Sequence, residues 1–263
     1  VYGHVFISHV LPVGTAAWLA KKWGGLDYSI LLHGLDVRLA FTSRQRTWVM
    51  KRVLRGAKTV FVNSQFVAEE VKRVDGSLHP VVVTPGVETL TFPERSIARE
   101  RRSVSADDFL LLCVARLVPR KGVDRAIELL AHLPSHVRLV VVGNGSDRER
   151  LKMLAEPFGA RVQFVFESTD EERNEWYAAA DLFLFLPKEE VTDVEGFGIV
   201  CLEAAAAGLP VIVARSGGAT ETVVHNVTGF VVDATQPHQV VHGIQRLMND
   251  PERAQRMGEA GRR

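Results

Sequence analysis

Residues Asp193–Ile212 read D-V-E-G-F-G-I-V-C-L-E-A-A-A-A-G-L-P-V-I. Two carboxylates and two glycines open the stretch, a helix-suited run of Leu, Glu and Ala follows, and Gly208-Leu-Pro210 ends it. Val211–Ala214 is then a short continuous apolar run, the pattern of a strand buried on both faces. Just upstream, Leu182–Leu186 has the same pattern. Strand, loop, helix and strand in succession predict a parallel sheet covered by helices.

The alternation runs outward in both directions. Upstream, strands are expected at Phe109–Ala115, Val137–Val142 and Val162–Phe166, with helices at Val123–His132, Arg148–Phe158 and Glu171–Ala180. Thr169 and Glu172 have capping-box spacing at the head of the last of these. Downstream come a helix at Ala219–His225, a strand at Gly229–Val232 and a helix at Gln236–Asn249. Residues 96–263 thus read as a complete doubly wound domain. Residues 1–95 carry less of the same pattern: strands Val5–Val10, Tyr28–Leu32, Thr59–Val62 and Val81–Val83, and helices Thr15–Lys22, Arg44–Leu54 and Phe66–Val74. They read as part of a second Rossmann-like domain. Pro85–Ser105, rich in Pro, Glu, Arg and Ser, reads as the linker. The chain starts at Val1 inside an apolar stretch, without a methionine, and reads as a fragment.

Composition sets the bounds. With 263 residues, 46% hydrophobic and 24% charged, the chain is an ordinary globular protein. A disordered chain, a coiled coil and a disulfide scaffold are excluded. No apolar run reaches the roughly 20 residues of a membrane helix. A net charge of +1 gives no global attraction to nucleic acid. Charge is uneven, however: residues 1–95 hold 12 Lys and Arg against 7 Asp and Glu. Cys113 and Cys201 lie far apart in apolar runs and read as buried free thiols, which suits a reducing cytosol.

Open parallel sheets bind ligands at the carboxyl ends of their strands, so the chemistry is sought there. Arg116-Leu-Val-Pro-Arg-Lys121-Gly122 puts cations and a glycine between a strand and a helix. It reads either as a diphosphate clamp or as a solvated basic loop. Gly143-Asn-Gly145 is a weak dinucleotide-like turn, with Arg148 where a third glycine belongs. In the opening stretch, Glu195 stands before the helix and Glu203 eight residues on. Both suit hydroxyl ligands, because charge-assisted hydrogen bonds are strong, and both also suit a solvated helix. Ser216-Gly217-Gly218 forms another anion-friendly nest or a plain turn. His33-Gly34-Leu-Asp36 follows a strand and reads as a ligand-facing or a structural histidine. Segment 43–58 carries Arg44, Arg46, Lys51, Arg52, Arg55 and Lys58 around Trp48. It reads as a surface helix or as a contact with an anionic membrane.

Together these motifs resemble glycosyltransferase family 4, the retaining GT-B enzymes. The carriers are R-L-V-P-R-K-G, the E-x7-E element with G-F-G, E-A-A-A-A-G-L-P-V-I and S-G-G-A-T-E, in family order. Thr84-Pro-Gly-Val-Glu88 resembles the family's P-G-V-D signature, and Val60-Phe-Val-Asn-Ser64 the strand ahead of it. R-L-V-P-R-K-G and D-V-E-G-F-G-I-V are most similar to the phosphatidylinositol mannoside mannosyltransferases and their relatives. The resemblance implies two Rossmann-like domains: residues 1–95 on the acceptor side, incomplete, and 96–263 for the donor. It implies transfer of a hexose, mannose from GDP-mannose being one candidate, from a nucleotide-diphosphate sugar to a lipid or polysaccharide acceptor. No metal or other cofactor would be obligatory, and the enzyme would sit in the cytoplasm, at the inner face of the membrane if segment 43–58 binds it.

In that scheme Arg116 and Lys121 neutralise the diphosphate and His33 reaches the donor sugar. Glu195, Phe197 and Gly198 hold the sugar, and Glu203 binds the ribose. Gly143 and Ile199 complete the candidate donor set. A non-catalytic nucleotide-sugar-binding module and a GT-B nucleotide-sugar epimerase are the alternatives. The sequence departs from the family at four places. The opening strand with its Gly-rich loop and the last helix have no counterpart. Phe166 stands where relatives often have Gly near the nucleobase. Lys188–Thr192 fills a variable loop.

Overall fold

The computed structural model describes residues 3–88, 90–190 and 193–263. Val191 and Thr192 of the variable loop therefore lie outside the described residues. Among the described residues there are two sheets, both parallel. The first has β1 (His4–Ile7), β2 (Asp27–Leu32), β3 (Val60–Val62) and β4 (Val81–Val82) in chain order. The second holds β5 (Phe109–Val114), β6 (Val137–Val142), β7 (Val162–Val165), β8 (Leu182–Phe185), β9 (Val211–Ala214) and β10 (Gly229–Val232). Its spatial order is β10-β9-β8-β5-β6-β7. The chain is thus α/β and doubly wound, as its alternation predicts. The direction of winding reverses between β5 and β8, which are paired through Leu111↔Leu182 and Leu112↔Phe183.

Packing divides the chain into two compact units. One holds the chain up to Pro85 with two short later stretches, Glu189–Phe197 and Ser216–Glu221. The other holds Gly86–Lys188, Gly198–Arg215 and Thr222–Arg263. In the first unit Tyr28, Ile30, Leu32, Val60 and Val62 meet Met50, Val53 and Leu54 of the helix Arg44–Gly56. In the second, Leu111, Cys113, Leu139, Val141, Leu184 and Ile212 form the sheet's side of one core. Continuous apolar strands are what burial on both faces demands. Cys113 and Cys201 are buried and outside any disulfide, as expected.

Three local expectations give way, and one helix is additional. Val5–Val10 is a strand only to Ile7; Val10–Gly14 turns as an irregular helix, because Pro12 cannot donate to a ladder. The helix expected at Ala219–His225 is instead a 3-10 segment, Gly217–Thr222, entered through Gly217 at φ +52°. The Pro85–Ser105 linker contains a helix, Arg95–Arg101. Its arginines have acidic partners: Arg99 reaches Asp181 at 3.1 Å, Arg95 the same carboxylate, and Arg101 reaches Glu175 at 2.8 Å. A further helix, Pro251–Arg262, starts with Asp250 accepting from the Arg253 N–H at 2.9 Å and Pro251 in its first turn. A Cβ on its Gly258 would lie 1.8 Å from the Gly208 carbonyl oxygen. That approach, with the small face of the helix Ile199–Ala206, is the physical use of the alanine run.

The capping box at Thr169 is present in both directions: Thr169 Oγ1 accepts from the Glu172 N–H at 3.1 Å, and Glu172 from the Thr169 N–H at 3.0 Å. Among the described residues, no helix is long and apolar enough to cross a membrane.

Candidate functional site

In the second unit the candidate residues gather at the carboxyl ends of adjacent strands. Beyond β5 the chain exposes Arg116, turns through the 3-10 segment Pro119–Lys121, and enters the helix Val123–Glu128 at Gly122. Gly122 has φ +67°, and a Cβ there would stand 1.8 Å from the Leu186 carbonyl oxygen. Only glycine lets this loop lie on the end of β8. The Lys188 N–H donates to the Arg120 carbonyl at 2.7 Å, and Lys121 Nζ lies 5.1 Å from the Phe185 ring centroid.

Asp124 fastens the same corner. It accepts from Lys188 Nζ at 2.5 Å, from the Arg125 N–H at 3.0 Å and from Arg150 at 3.2 Å. Burial alone would push the Asp124 carboxyl up; the Lys188 hydrogen bond and charge, with the Arg125 amide and Arg150, outweigh it and hold it below its usual value.

The turn after β6 lies against this loop. Cβ atoms on Gly143 and Gly145 would stand 2.0 Å from the Ala115 carbonyl oxygen and 2.2 Å from that of Leu117. The Leu117 carbonyl takes the Asp147 N–H at 2.9 Å. The two glycines thus have a packing reason for their bareness. Arg148, in the third-glycine position, stands over Phe166 with its Cζ 3.7 Å from the ring centroid, and Phe164 stacks on the same ring at 5.4 Å.

After β8 the chain reaches Gly198, at φ +91°, and starts the helix Ile199–Ala206 with no side-chain cap. The Cys201 N–H turns back to the Gly198 carbonyl at 3.0 Å, so this helix starts on backbone alone. Ile199 is exposed there, and Glu203 is half-buried and accepts the Tyr177 hydroxyl proton at 2.7 Å.

In the first unit, His33 follows β2 and is exposed. A Cβ on Gly196 would stand 1.9 Å from the His33 carbonyl oxygen and 3.2 Å from Asn63 Nδ2. One on Gly218 would stand 2.0 Å from the Gly196 carbonyl oxygen. The Gly218 N–H donates to the Glu195 carbonyl at 2.9 Å. Three glycine-rich turns, at 33–34, 195–196 and 217–218, are thus layered backbone on backbone, with Glu195 buried among them. Glu221 closes the layer: its carboxylate accepts the Gln65 and Phe66 N–H groups at 2.8 and 2.7 Å, at the head of the helix Gln65–Val74. Burial pushes the Asp36 carboxyl up, against the opposing charges of His9 and His33.

The structure therefore brings His33 together with Glu195 and Phe197 in one unit. Arg116, Lys121, Gly143, Gly198, Ile199 and Glu203 fall in the other. The chain passes between units at the Phe197–Gly198 peptide, inside the motif itself. Sequence reasoning missed Tyr177, Asp124 and Glu221 as partners of this chemistry. Tyr177 sits in an apolar helix pattern that reads as core, and the partners of Asp124 and Glu221 lie too far along the chain for spacing to disclose them.

Comparison with known proteins agrees with this architecture. Residues 94–263 match the family described as glycosyl transferases group 1, and residues 3–86 the glycosyl transferase 4-like domain. The chain is 34% identical, over 98% of its length and 70% of the relative's, to a GDP-mannose-dependent alpha-(1-6)-phosphatidylinositol monomannoside mannosyltransferase of Mycolicibacterium smegmatis. It is 32% identical, over 100% of its length and 66% of the relative's, to a D-inositol 3-phosphate glycosyltransferase of Xylanimonas cellulosilytica. Among solved structures, sucrose-phosphate synthase of Thermosynechococcus elongatus superposes with a TM-score of 0.87 at 27% identity, covering 99% of this chain and 68% of that one. HepE of Anabaena, in complex with UDP and glucose, gives 0.84 at 23% identity, over 99% and 72%, and supports the fold alone.

Proposed function

The chain belongs to the group 1 glycosyltransferases, with the GT-B fold, and on that premise we propose that it moves a hexose from a nucleotide-diphosphate sugar to a lipid or glycan acceptor with retention of configuration. Mannose from GDP-mannose is the donor that the relatives favour. The observation that carries this reading is the point, between β5 and β8, where the second sheet reverses its winding. Ligands of open parallel sheets lie at such a point, outside the carboxyl ends of the strands. There the basic loop Arg116–Lys121 meets the end of β8, and the uncapped helix Ile199–Ala206 starts just beyond.

In the reaction the bond between the sugar C1 and the diphosphate oxygen breaks, and a bond from C1 to the acceptor oxygen forms. The nucleoside diphosphate leaves with the bonding pair, and the acceptor hydroxyl gives its proton to the departing phosphate oxygen. Negative charge therefore grows on the leaving phosphate. Arg116 and Lys121 meet that charge from a loop whose backbone lies on the end of β8 at Gly122, with Lys121 beside the Phe185 ring. Glu203 accepts from the ribose. Glu195 accepts from the sugar hydroxyls, beside the amides of Phe197 and Gly198, and His33 approaches the same sugar. Gly143 and Ile199 border the nucleotide. Residues 1–95 serve the acceptor and 96–263 the donor.

Calorimetric titration with GDP, UDP and ADP tests the reading, run beside the double variant Arg116→Ala/Lys121→Ala. Binding of one nucleotide, weakened at least tenfold in the variant, is expected; indifference of the variant would remove the clamp. Glu195→Ala should abolish sugar transfer while nucleotide affinity stays within about threefold.

We further propose that segment 43–58 touches an anionic membrane at the cytoplasmic face. Met50, Val53 and Leu54 turn inward, whereas Trp48 is 53% exposed, with Arg52 5.1 Å above its ring and Arg44 and Arg46 exposed on the same helix. An exposed tryptophan with an arginine over its ring suits the headgroup boundary. Co-sedimentation with phosphatidylcholine vesicles, with and without phosphatidylserine, should show binding that needs the anionic lipid, falls with salt, and drops in Trp48→Ser/Arg52→Ser. Binding equal in both vesicle types, or untouched by the substitutions, would defeat it.

A further inference from the structure

Glu203 has three rotatable bonds and stands on a half-buried helix face, where nothing in its own chemistry selects one orientation. Its neighbour does. Tyr177 is fully buried, and its ring is caged by Phe183 at 5.7 Å and by Phe92, edge-on, at 6.5 Å. Its hydroxyl donates to Oε2 of Glu203 at 2.7 Å. The helix that carries it, Asp170–Ala179, is itself pinned by the Thr169 capping box and by the pairs of Glu175 with Arg101 and Arg102. Burial, reinforced by the Glu203 charge, holds the phenol protonated well above its usual range, so it remains a donor at every working pH.

We propose that Tyr177 is a positioning residue for the donor ribose: its hydroxyl fixes one carboxylate oxygen of Glu203 and so presents the other to the vicinal ribose hydroxyls. The inference rests on the assignment of Glu203 to the ribose. An ionised carboxylate accepts only, so a donor on one oxygen leaves the second for the ligand's O–H groups. A carboxylate locked in the free protein also loses less side-chain freedom on binding than one that must be ordered by the ligand. The same bond could instead serve only to join two helices, and the two roles differ in a measurable way. A structural tie affects every ligand alike; a ribose-positioning bond affects only ligands that have the hydroxyls.

The test compares each nucleoside diphosphate, GDP, UDP and ADP, with its 2′,3′-dideoxy counterpart by calorimetry. The proteins are the wild type, Tyr177→Phe, Glu203→Ala and the double variant, with thermal melts of all four. Tyr177→Phe removes one oxygen and leaves the ring in its cage. The wild type should prefer the ribose form by roughly tenfold or more, and Glu203→Ala should erase the preference. Tyr177→Phe should shrink it by roughly three- to tenfold while leaving affinity for the dideoxy form within about twofold. The double variant should match Glu203→Ala. An unchanged preference in Tyr177→Phe, or an equal loss for both ligands, would overturn the proposal. A preference that survives Glu203→Ala, or no nucleotide binding at all, would instead overturn the ribose assignment beneath it.

Discussion

At the scale of single residues, the glycines of the site are set by backbone proximity, and they divide sharply. Gly196 has no room for a side chain: a methyl would meet the His33 carbonyl oxygen at 1.9 Å, and both sides are main chain that cannot swing away. Gly86, in the P-G-V motif, has nothing within 4 Å of a Cβ. Gly196→Ala should therefore cost about 2 kcal/mol or more and remove activity, whereas Gly86→Ala should change stability by less than about 0.5 kcal/mol. Denaturant melts of the two variants check this, and equal effects would mean that the layered turns relax more easily than their contacts suggest. Legibility at this scale is uneven. Glu195 and Glu203 stand out in the sequence as candidate acceptors for hydroxyls, and Arg116 and Lys121 as candidate cations for a phosphate. Asp124 and Tyr177 do not, because each acts on another side chain, 64 residues away for Asp124 and 26 for Tyr177.

Elements were most legible where hydrophobic period and end signals agree. The strands Val137–Val142, Val211–Ala214 and Gly229–Val232 begin and end where their apolar runs do. So does the helix at Asp170, whose capping box is local chemistry. Elements whose stability comes from a distant partner were missed. Arg95–Arg101 has too few apolar positions to announce a helix, and its stability comes from Asp181 and Glu175. The helix Gln65–Val74 shows the same dependence at its head. Ser64 accepts the Val67 N–H at 3.1 Å, but the Gln65 and Phe66 amides are met by Glu221. Glu221→Ala should leave two N–H groups to water and lower stability by about 1 kcal/mol. Glu221→Gln, which keeps an acceptor but loses the charge, should fall between the wild type and alanine in denaturant titrations. Full stability in both would assign the capping to Ser64 alone.

For the whole molecule, the parallel α/β class was readable because strands buried on both faces have no polar side to confuse with a helix. Its pH response follows from the same burial. Burial pushes the Cys113 thiol from 9.0 up to about 12. Between those values the folded protein keeps a proton that the unfolded chain releases, so stability is intact below pH 9 and declines as pH rises toward 12. The slope from this group is about 1.4 kcal/mol per pH unit. Guanidinium midpoints at pH 8 and pH 10.5 should show that fall, and Cys113→Ala should make it shallower; parallel slopes would mean the thiol is hydrated when folded. What the sequence could not disclose is the ownership of its later stretches, since nothing in Glu189–Phe197 or Ser216–Glu221 says that it packs with the first sheet. That ownership has a consequence during biosynthesis. The amide of Phe66 waits for a partner 155 residues behind it, which at 5–20 residues per second is roughly 8–30 seconds of translation. Until then the first unit is an unfinished nascent chain, and a ribosome that stalls before Glu221 holds a half-capped helix.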